Sequence, residues 1–264
     1  MNDLLTGKNA IIYGGGGSLG GGVARTFARA GATVFLAGRT LEPLERVAAD
    51  IAAAAGRAEV AVVDALDERA VDEHADAVAA QAGSIDVSFN LVQRGDDQGD
   101  AARRHDHGPV PARDHDRLED GVHHRARRGA PHGPAGLRRD PASHERVVAG
   151  HDARHGQHRP DGRRDGGVPP LPGAELGPSG VRVVGIHTAG VAGTLTPEKI
   201  AAVSGDAPID IAAIAAGLAQ MTMLRRAPDV QQIADTATFL ASDGAGAGAI
   251  TSGIVNATCG LVAG

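Results

Sequence analysis

Apolar and polar residues follow a regular alternation over the first third of the chain. Short apolar runs predict strands at 9–13, 33–37, 58–63 and 85–90. Apolar residues at helical spacing separate these runs, as Val23 and Phe27 do after the first strand. The predicted helices extend to about residue 30 and then cover 42–54 and 68–82. Strands and helices in this order favour a parallel, doubly wound α/β sheet with helices on both faces.

The segment 100–173 interrupts this pattern. It holds 10 of the 12 His, 14 of the 24 Arg and 9 of the 14 Pro, and it contains no Ile, Phe, Met, Tyr or Lys. Only eight large apolar residues occur in it, well below the roughly 20% of Leu, Ile, Val and Phe under which disorder is expected. We therefore expect this segment, as written, to contribute little to a packed core.

Charge and cysteine content narrow the function classes. The net charge of −6 combines +3 in the segment 100–173 with −9 in the rest of the chain, and acidic flanks argue against a nucleic-acid partner. A single cysteine, Cys259, excludes an internal disulfide and fits a reducing compartment. The first residues resemble no signal peptide, and no run of 18 apolar residues follows. We expect a cytoplasmic protein with no membrane partner.

A glycine run follows the first predicted strand and precedes the first helix. Glycines permit positive φ and close backbone approach, so a pyrophosphate can rest on the unpaired N–H groups of the helix. A strand and a helix on either side make dinucleotide binding the favoured interpretation over a plain loop. The candidate phosphate-binding residues are Gly14, Gly17, Ser18, Leu19 and Gly20.

The end of the second predicted strand indicates which dinucleotide is bound. Such folds read the adenosine ribose there: an acid favours NAD, whereas an arginine accommodates the 2′-phosphate of NADP. This chain has Arg39 at that point, in the run Gly38-Arg39-Thr40. The expected cofactor is NADP, with NAD the less favoured alternative.

Together these motifs resemble the short-chain dehydrogenase/reductase family. The family's Thr-Gly-x-x-x-Gly-x-Gly turn corresponds to residues 13–20, with Ser18 in place of the middle glycine. Asp64 and Ala65 match the position of the acid that holds the adenine ring in that family. Asn90 is the one residue retained from its Asn-Asn-Ala-Gly motif.

The resemblance resumes after Gly173. A strand ending near Ile186 leads to a turn that retains Gly190 and Thr194 but has Ala189 where the family has proline. A predicted helix at 230–241 and a strand at 250–256 complete the pattern, so that the resemblance covers about 190 of the 264 residues. It implies one Rossmann-type domain, 1–264, made of a cofactor-binding half (1–99), the anomalous segment (100–173) and a carboxyl-terminal half (174–264).

The family's acid/base residues have no counterpart in this chain. The resemblance implies hydride transfer between a nicotinamide cofactor and a small carbonyl or alcohol substrate, with a Tyr-x-x-x-Lys pair and a serine. The only tyrosine is Tyr13, and the only lysines are Lys8 and Lys199. Ser143, the one serine of the segment 100–173, has no predicted strand beside it. We assign no catalytic residue, and a catalytically inert dinucleotide-binding protein is the alternative.

Four interpretations of the segment 100–173 remain open. Its histidines could ligate a metal, but ten histidines scattered among prolines and arginines lack anything to hold them in fixed geometry, and we assign no metal ligand. A nucleic-acid arm is disfavoured because lysines and aromatic stacking partners are absent. A disordered insertion of another kind is the third possibility. The favoured interpretation is a reading-frame slip.

The frame slip rests on possible codons. Read one nucleotide later, 163–173 can spell Ala-Ala-Thr-Glu-Ala-Phe-Leu-Arg-Tyr-Leu and join directly to Ala174, and 120–128 can spell a plausible amphipathic helix. The same shift permits neither the family's Tyr nor its Lys at the matching positions, so the restored chain also lacks the pair. We expect the literal chain to leave a gap between the fourth and sixth strands and to fold poorly. The family's dimer or tetramer assembly is implied for the parent protein.

Overall fold

The computed structural model describes residues 3–92, 146–152, 176–188, 190–194, 211–244 and 246–261, with the backbone alone for 146–152. Within these residues, seven strands form one sheet: β1 (Asn9–Tyr13), β2 (Thr33–Gly38), β3 (Arg57–Val62), β4 (Val87–Asn90), β5 (Arg146–Asp152), β6 (Val181–His187) and β7 (Gly253–Asn256). Their order is β3-β2-β1-β4-β5-β6-β7, and every ladder is parallel. This Rossmann-type sheet confirms the predicted fold class.

Helices connect the strands of this sheet. The α-helices of the described residues are α1 (Ser18–Arg29), α2 (Leu41–Ala53), α3 (Glu68–Ala82), α4 (Ile211–Met221) and α5 (Val230–Ala241). The bounds predicted from the sequence for α3 and α5 agree with these, and the bounds predicted for α2 are one residue too far along the chain. No helix was predicted at α4. Within the described residues, no helix is both long enough and apolar enough to cross a bilayer.

The sheet separates two apolar cores. On one face, Val23 and Phe27 of α1 pack with β-strand residues and with α5, and the rings of Phe27 and Phe89 meet edge to face at 6.1 Å. On the other face, Val71 and Val78 of α3 cover Tyr13 and its neighbours. Because β1 is buried on both faces, its short apolar sequence is the one expected of a central parallel strand.

Local sequence signals define the helix ends. Asp67 begins α3 by accepting hydrogen bonds from the N–H groups of Arg69 and Ala70. Gly83 ends the same helix at φ 85°, a conformation in which glycine is not strained. Asp229 begins α5 with a capping box, in which its side chain and that of Gln232 satisfy each other's backbone N–H groups.

The expected gap between the fourth and sixth strands is wrong, because β5 fills it. Val147 pairs with Val87 of β4, and β5 pairs along its whole length with β6. A parallel ladder uses backbone groups that every residue except proline carries, so an unusual composition does not prevent it. Phe89 and Ile186, on the two neighbouring strands, are buried rather than exposed. A composition averaged over 74 residues conceals this one apolar run of Val and Ala.

The statement that Ser143 has no strand beside it is wrong for the same reason. β5 begins three residues after Ser143, at Arg146. Ser143 itself lies outside the described residues, as do nine of the ten histidines of the segment 100–173 and the codon-shifted stretches at 120–128 and 163–173.

Candidate functional site

The strand order reverses direction at β1. From this strand the chain proceeds through β2 to β3 on one side, and through β4 to β7 on the other. Ligands of open α/β sheets bind outside the carboxyl ends of the strands at such a switch point. The glycine run from Gly14 onward occupies that position, since it directly follows β1.

Gly14 and Gly20 approach each other closely within this turn. A Cβ on Gly20 would stand 2.2 Å from the carbonyl oxygen of Gly14, too close for any side chain. Gly14 has φ 82°, and its N–H donates to the carbonyl of Ala37 on β2. The N–H of Gly17 donates back to Gly14 at 3.1 Å. Glycine at both positions therefore lets α1 begin directly against the end of β1.

No side chain caps the amino terminus of α1. Gly17 is its N-cap residue and supplies no side chain, and the first turn contains no acidic residue. The first N–H groups of a helix, here those of Ser18, Leu19 and Gly20, have no acceptor inside the helix. Unpaired N–H groups and the positive end of the helix dipole together favour an anion.

Small residues also keep the next helix close to the turn. A Cβ on Gly16 would stand 2.8 Å from the Cβ of Pro43 in α2, and one on Gly15 would stand 2.9 Å from Leu36 Cδ2 of β2. The glycine turn therefore lies between β2 and the start of α2, so the carboxyl end of β2 borders it.

Arg39 lies one residue after the end of β2. Its side chain is exposed and forms no ion pair with any residue that the structure describes. The flanking residues Gly38 and Thr40 bring no acid. Because β2 neighbours β1, Arg39 stands one strand away from the glycine turn, on the same edge of the sheet.

Asp64 and Ala65 follow the end of β3. Asp64 is exposed, and its Oδ1 accepts the N–H of Leu66 at 3.0 Å, while Ala65 packs against the core under α3. The backbone of Val63 donates to Gly38, which holds the ends of β2 and β3 together. Asp64 and Ala65 thus lie on the same edge of the sheet as the glycine turn and Arg39, one strand farther from β1.

Asn90 ends β4 on the other side of β1. It pairs in register with Tyr13, and its Oδ1 accepts the N–H of Val92 at 2.9 Å. The N–H of Leu91 donates to the carbonyl of Tyr13 at 3.0 Å, and a Cβ on Gly14 would lie 3.2 Å from Leu91. Asn90 therefore holds the backbone turn that closes over Gly14.

The turn after β6 completes the predicted set. Gly190 has φ 59°, and Thr194 Oγ1 donates to the carbonyl of Val191 at 2.8 Å. The N–H of Ala192 donates to Pro228, two residues before α5. Since β6 is parallel to β1, this turn lies on the same edge of the sheet as the glycine turn.

Tyr13 does not present its hydroxyl group at this edge of the sheet. It is 3% exposed, its hydroxyl lies 3.5 Å from His74 Nδ1, and the two rings meet edge to face at 5.8 Å. Burial in this pair lowers the pKa of His74 from its ordinary 6.5. The lone tyrosine of the chain thus serves the packing of α3 on the sheet.

Sequence reasoning missed one polar group at the edge. His187, the last residue of β6, has an Nε2 atom that is buried and has no hydrogen-bond partner within the described part of the chain. The signal in the sequence is a histidine at the end of the strand, three residues before Gly190.

Comparison with known proteins finds a family match in the amino-terminal third of the chain. Residues 8–97 match the family model described as short chain dehydrogenase. Over these residues, about a third of the chain, the sequence is similar to that family. The matched part contains the glycine turn, Arg39, Asp64 and Asn90.

Curated relatives of this family align with the same part of the chain. An uncharacterized oxidoreductase of Mycobacterium tuberculosis is 41% identical over 97 residues, which are 36% of this chain and 28% of that protein. A fatty acyl-CoA reductase of Acinetobacter baylyi is 36% identical over 94 residues, or 36% of this chain and 32% of that protein. The alignments thus span about a third or less of the length of these relatives.

Solved structures share this fold. L-sorbose reductase from Gluconobacter frateurii, complexed with NADPH and L-sorbose, has a TM-score of 0.71 at 16% identity and covers 100% of both chains. A hydroxysteroid dehydrogenase from Escherichia coli has a TM-score of 0.67 at 21% identity, over 99% of this chain and 100% of that one. At these identities the likeness shows the fold.

Proposed function

We propose that the protein is an NAD(P)-dependent oxidoreductase that prefers NADP and acts on a small carbonyl or alcohol substrate. The observation that carries this proposal is the approach of Gly20 to Gly14 at the switch point of the sheet. This approach leaves the amino terminus of α1 open to a pyrophosphate, which fits the dinucleotide. When bound, the nicotinamide would supply or accept the hydride.

Each predicted site residue has a role in this proposal. The N–H groups at Gly17, Ser18, Leu19 and Gly20 hold the pyrophosphate, with Gly14 shaping the turn. Asp64 and Ala65 border the adenine beyond β3. On the other side of β1, the Asn90 turn and the Gly190–Thr194 turn border the nicotinamide. The row formed by the ends of β3, β2, β1, β4 and β6 supports this arrangement.

Arg39 supports the preference for NADP. Its guanidinium is exposed beside the glycine turn and has no acidic partner among the described residues, so it is available for a 2′-phosphate. A carboxylate in its place would repel that phosphate and hydrogen-bond the ribose hydroxyl of NAD. The structural neighbour L-sorbose reductase is described in complex with NADPH.

The names of the relatives support hydride chemistry over other uses of the fold. Curated relatives that align over the amino-terminal third are called oxidoreductases or a reductase. The proposal extends this activity to the present chain, in the cytoplasm and as a homodimer or homotetramer.

A catalytically inert dinucleotide-binding protein is the second candidate. One specific observation favours it: the sequence contains no Tyr-x-x-x-Lys, and its only tyrosine is buried against His74. Such a protein would bind the same cofactor through the same residues and turn over no substrate.

The test combines a glycine variant with a matched control. Gly20→Ala places a methyl group against the Gly14 carbonyl, whereas Gly177→Ala adds one where nothing lies within 4 Å. Isothermal titration with NADPH should show that Gly20→Ala loses at least about tenfold in affinity and that Gly177→Ala binds like the wild type. Equal affinity in both variants would refute the site. Turnover of a carbonyl panel by the wild type then separates the enzyme from the inert protein.

A further inference from the structure

The last residue of β6, His187, has no role in the cofactor site proposed above. His187 Nε2 is buried without a hydrogen-bond partner in the described residues. Leaving such a group unsatisfied costs about 1–3 kcal/mol, so native structures keep few of them, and those few often serve function. His187 is followed at once by the turn that contains Gly190 and Thr194.

Register places His187 on the edge described above. Tyr13, Asn90, Gly150 and Gly185 form one row across β1, β4, β5 and β6. His187 stands two residues beyond that row, toward the carboxyl edge. Two strand spacings of about 4.8 Å and an offset of two residues along the strand place the backbones of Asn90 and His187 about 12 Å apart.

Alternation places His187 and Asn90 on the same face of the sheet. Phe89 and Ile186 both belong to the core that packs against α1. Successive residues of a strand point to opposite faces, so Asn90 and His187 point away from α1. His187 shares that face with Val181 and Val183, which form a small separate cluster.

The ionisable residues described above, Asp64 and His74 among them, lie away from β6. Asp64 follows β3, which is five strands away from β6, or about 24 Å. His74 is held on α3 against Tyr13. Beside His187 itself, the backbone of Asp152 pairs on the β5 side and that of Asn256 on the β7 side. Asp152 is therefore the one ionisable residue in register with His187.

We propose that Nε2 of His187 exchanges the proton with the substrate oxygen, in a chain that lacks the family's Tyr-x-x-x-Lys. The inference rests on the proposed oxidoreductase function. In carbonyl reduction, the Nε2–H bond breaks and an O–H bond forms on the substrate oxygen, while the carbonyl carbon receives hydride from the reduced nicotinamide dinucleotide. The imidazole is left neutral and regains its proton from water. Alcohol oxidation reverses both transfers, and imidazole is suited to either direction near neutral pH.

The test compares His187→Gln with the matched control His74→Gln. The glutamine amide can still hydrogen-bond near the Nε2 position but does not ionise, so a purely structural hydrogen bond survives the change. For His187→Gln we expect kcat to fall by about 10² or more, with NADPH affinity by calorimetry changed by no more than about twofold. The pH profile of kcat should lose the inflection that the wild type and His74→Gln share.

A second readout does not depend on turnover. In the proton NMR spectrum, the imidazole resonance absent from His187→Gln should shift when NADP⁺ is added to the wild type, and the resonance absent from His74→Gln should not. Should His187→Gln fail to fold, as judged by circular dichroism, His187→Asn replaces it in both measurements.

The outcomes separate the two proposals. Unchanged kcat and pH profile in His187→Gln, with an active wild type, overturn the role of His187 alone. Loss of the inflection in Asp152→Asn but not in His187→Gln also overturns it. A wild type that binds NADPH and reduces no carbonyl overturns the oxidoreductase function, and the proton-transfer role with it.

Discussion

Lys8 and Asp243 form an ion pair that joins the start of β1 to the end of α5. Lys8 Nζ donates to Asp243 Oδ1 at 2.8 Å, with the lysine side chain 3% exposed and the aspartate side chain 41% exposed. The two residues are 235 positions apart in sequence. This contact ties the first strand to a carboxyl-terminal helix, across the whole anomalous segment.

Removing Asp243 should destabilise the fold. Asp243→Ala leaves the buried ammonium of Lys8 without its carboxylate, and we expect the free energy of unfolding to fall by about 1–3 kcal/mol. The double variant Lys8→Met/Asp243→Ala removes the uncompensated charge and should recover part of that loss. Urea denaturation of the wild type, both single variants and the double variant measures the coupling. A double variant whose loss equals the sum of the single losses would show that the pair is not coupled.

Arg39 should determine the choice between NADPH and NADH. Arg39→Ala removes the guanidinium from the end of β2, and we expect NADPH affinity to fall about tenfold because a charge-assisted hydrogen bond is lost. NADH affinity should stay the same, since NADH has no 2′-phosphate. Arg46→Ala is the control, because Arg46 is an exposed arginine of α2 that pairs with Glu42 at 2.6 Å. Equal losses for both cofactors would contradict the assignment.

His74 should make the stability depend on pH. Burial lowers its pKa below 6.5, so the folded state resists its protonation more than the unfolded state does. Stability from the neutral imidazole is therefore complete above about pH 6.5 and falls as the pH drops toward the lowered pKa. His74→Gln has no such ionisation, and its free energy of unfolding should decline less between about pH 7 and about pH 5.

The measurement for His74 is urea unfolding of both proteins at a series of pH values in that window. Every other ionisable residue is common to both proteins, so the difference between the two curves isolates His74. Parallel curves would show that burial of this imidazole has no consequence for stability.

The reading frame of the segment 100–173 is directly testable. We propose that the gene encodes a different, more apolar segment that joins the present sequence at Ala174. Resequencing the gene and measuring the intact mass of the protein from its source should both depart from this sequence, whose mass is 26.6 kDa. An intact mass that agrees with 26.6 kDa would disprove the frame slip.

Sequence patterns predicted the elements whose signals are local. The Gly14–Gly20 turn, the bounds of α3 and α5, and the parallel direction of the first four strands follow from apolar spacing, glycines and caps within a few residues of each element. These signals act through φ, side-chain caps and helix periodicity, which depend little on the rest of the chain.

The sequence did not predict β5 or α4. In β5, Val147 and Val148 form a strand because β4 and β6 offer backbone partners on both sides, and that partnership is invisible in a local window. In α4, a run of Ile and Ala residues has little polar contrast, and short apolar runs are ambiguous between helix and strand.

The sequence by itself determined the fold class and the candidate cofactor residues, since a strand, a glycine turn and a helix in succession carry their own geometry. Only the tertiary structure decided which distant residues share an edge. It closed the sheet through β5, buried Tyr13 against His74, and brought His187 to the edge that holds Gly14 and Asn90. The physical reason is that parallel pairing aligns strand ends from far apart in the chain, and a residue's burial and partners exist only once those strands are paired.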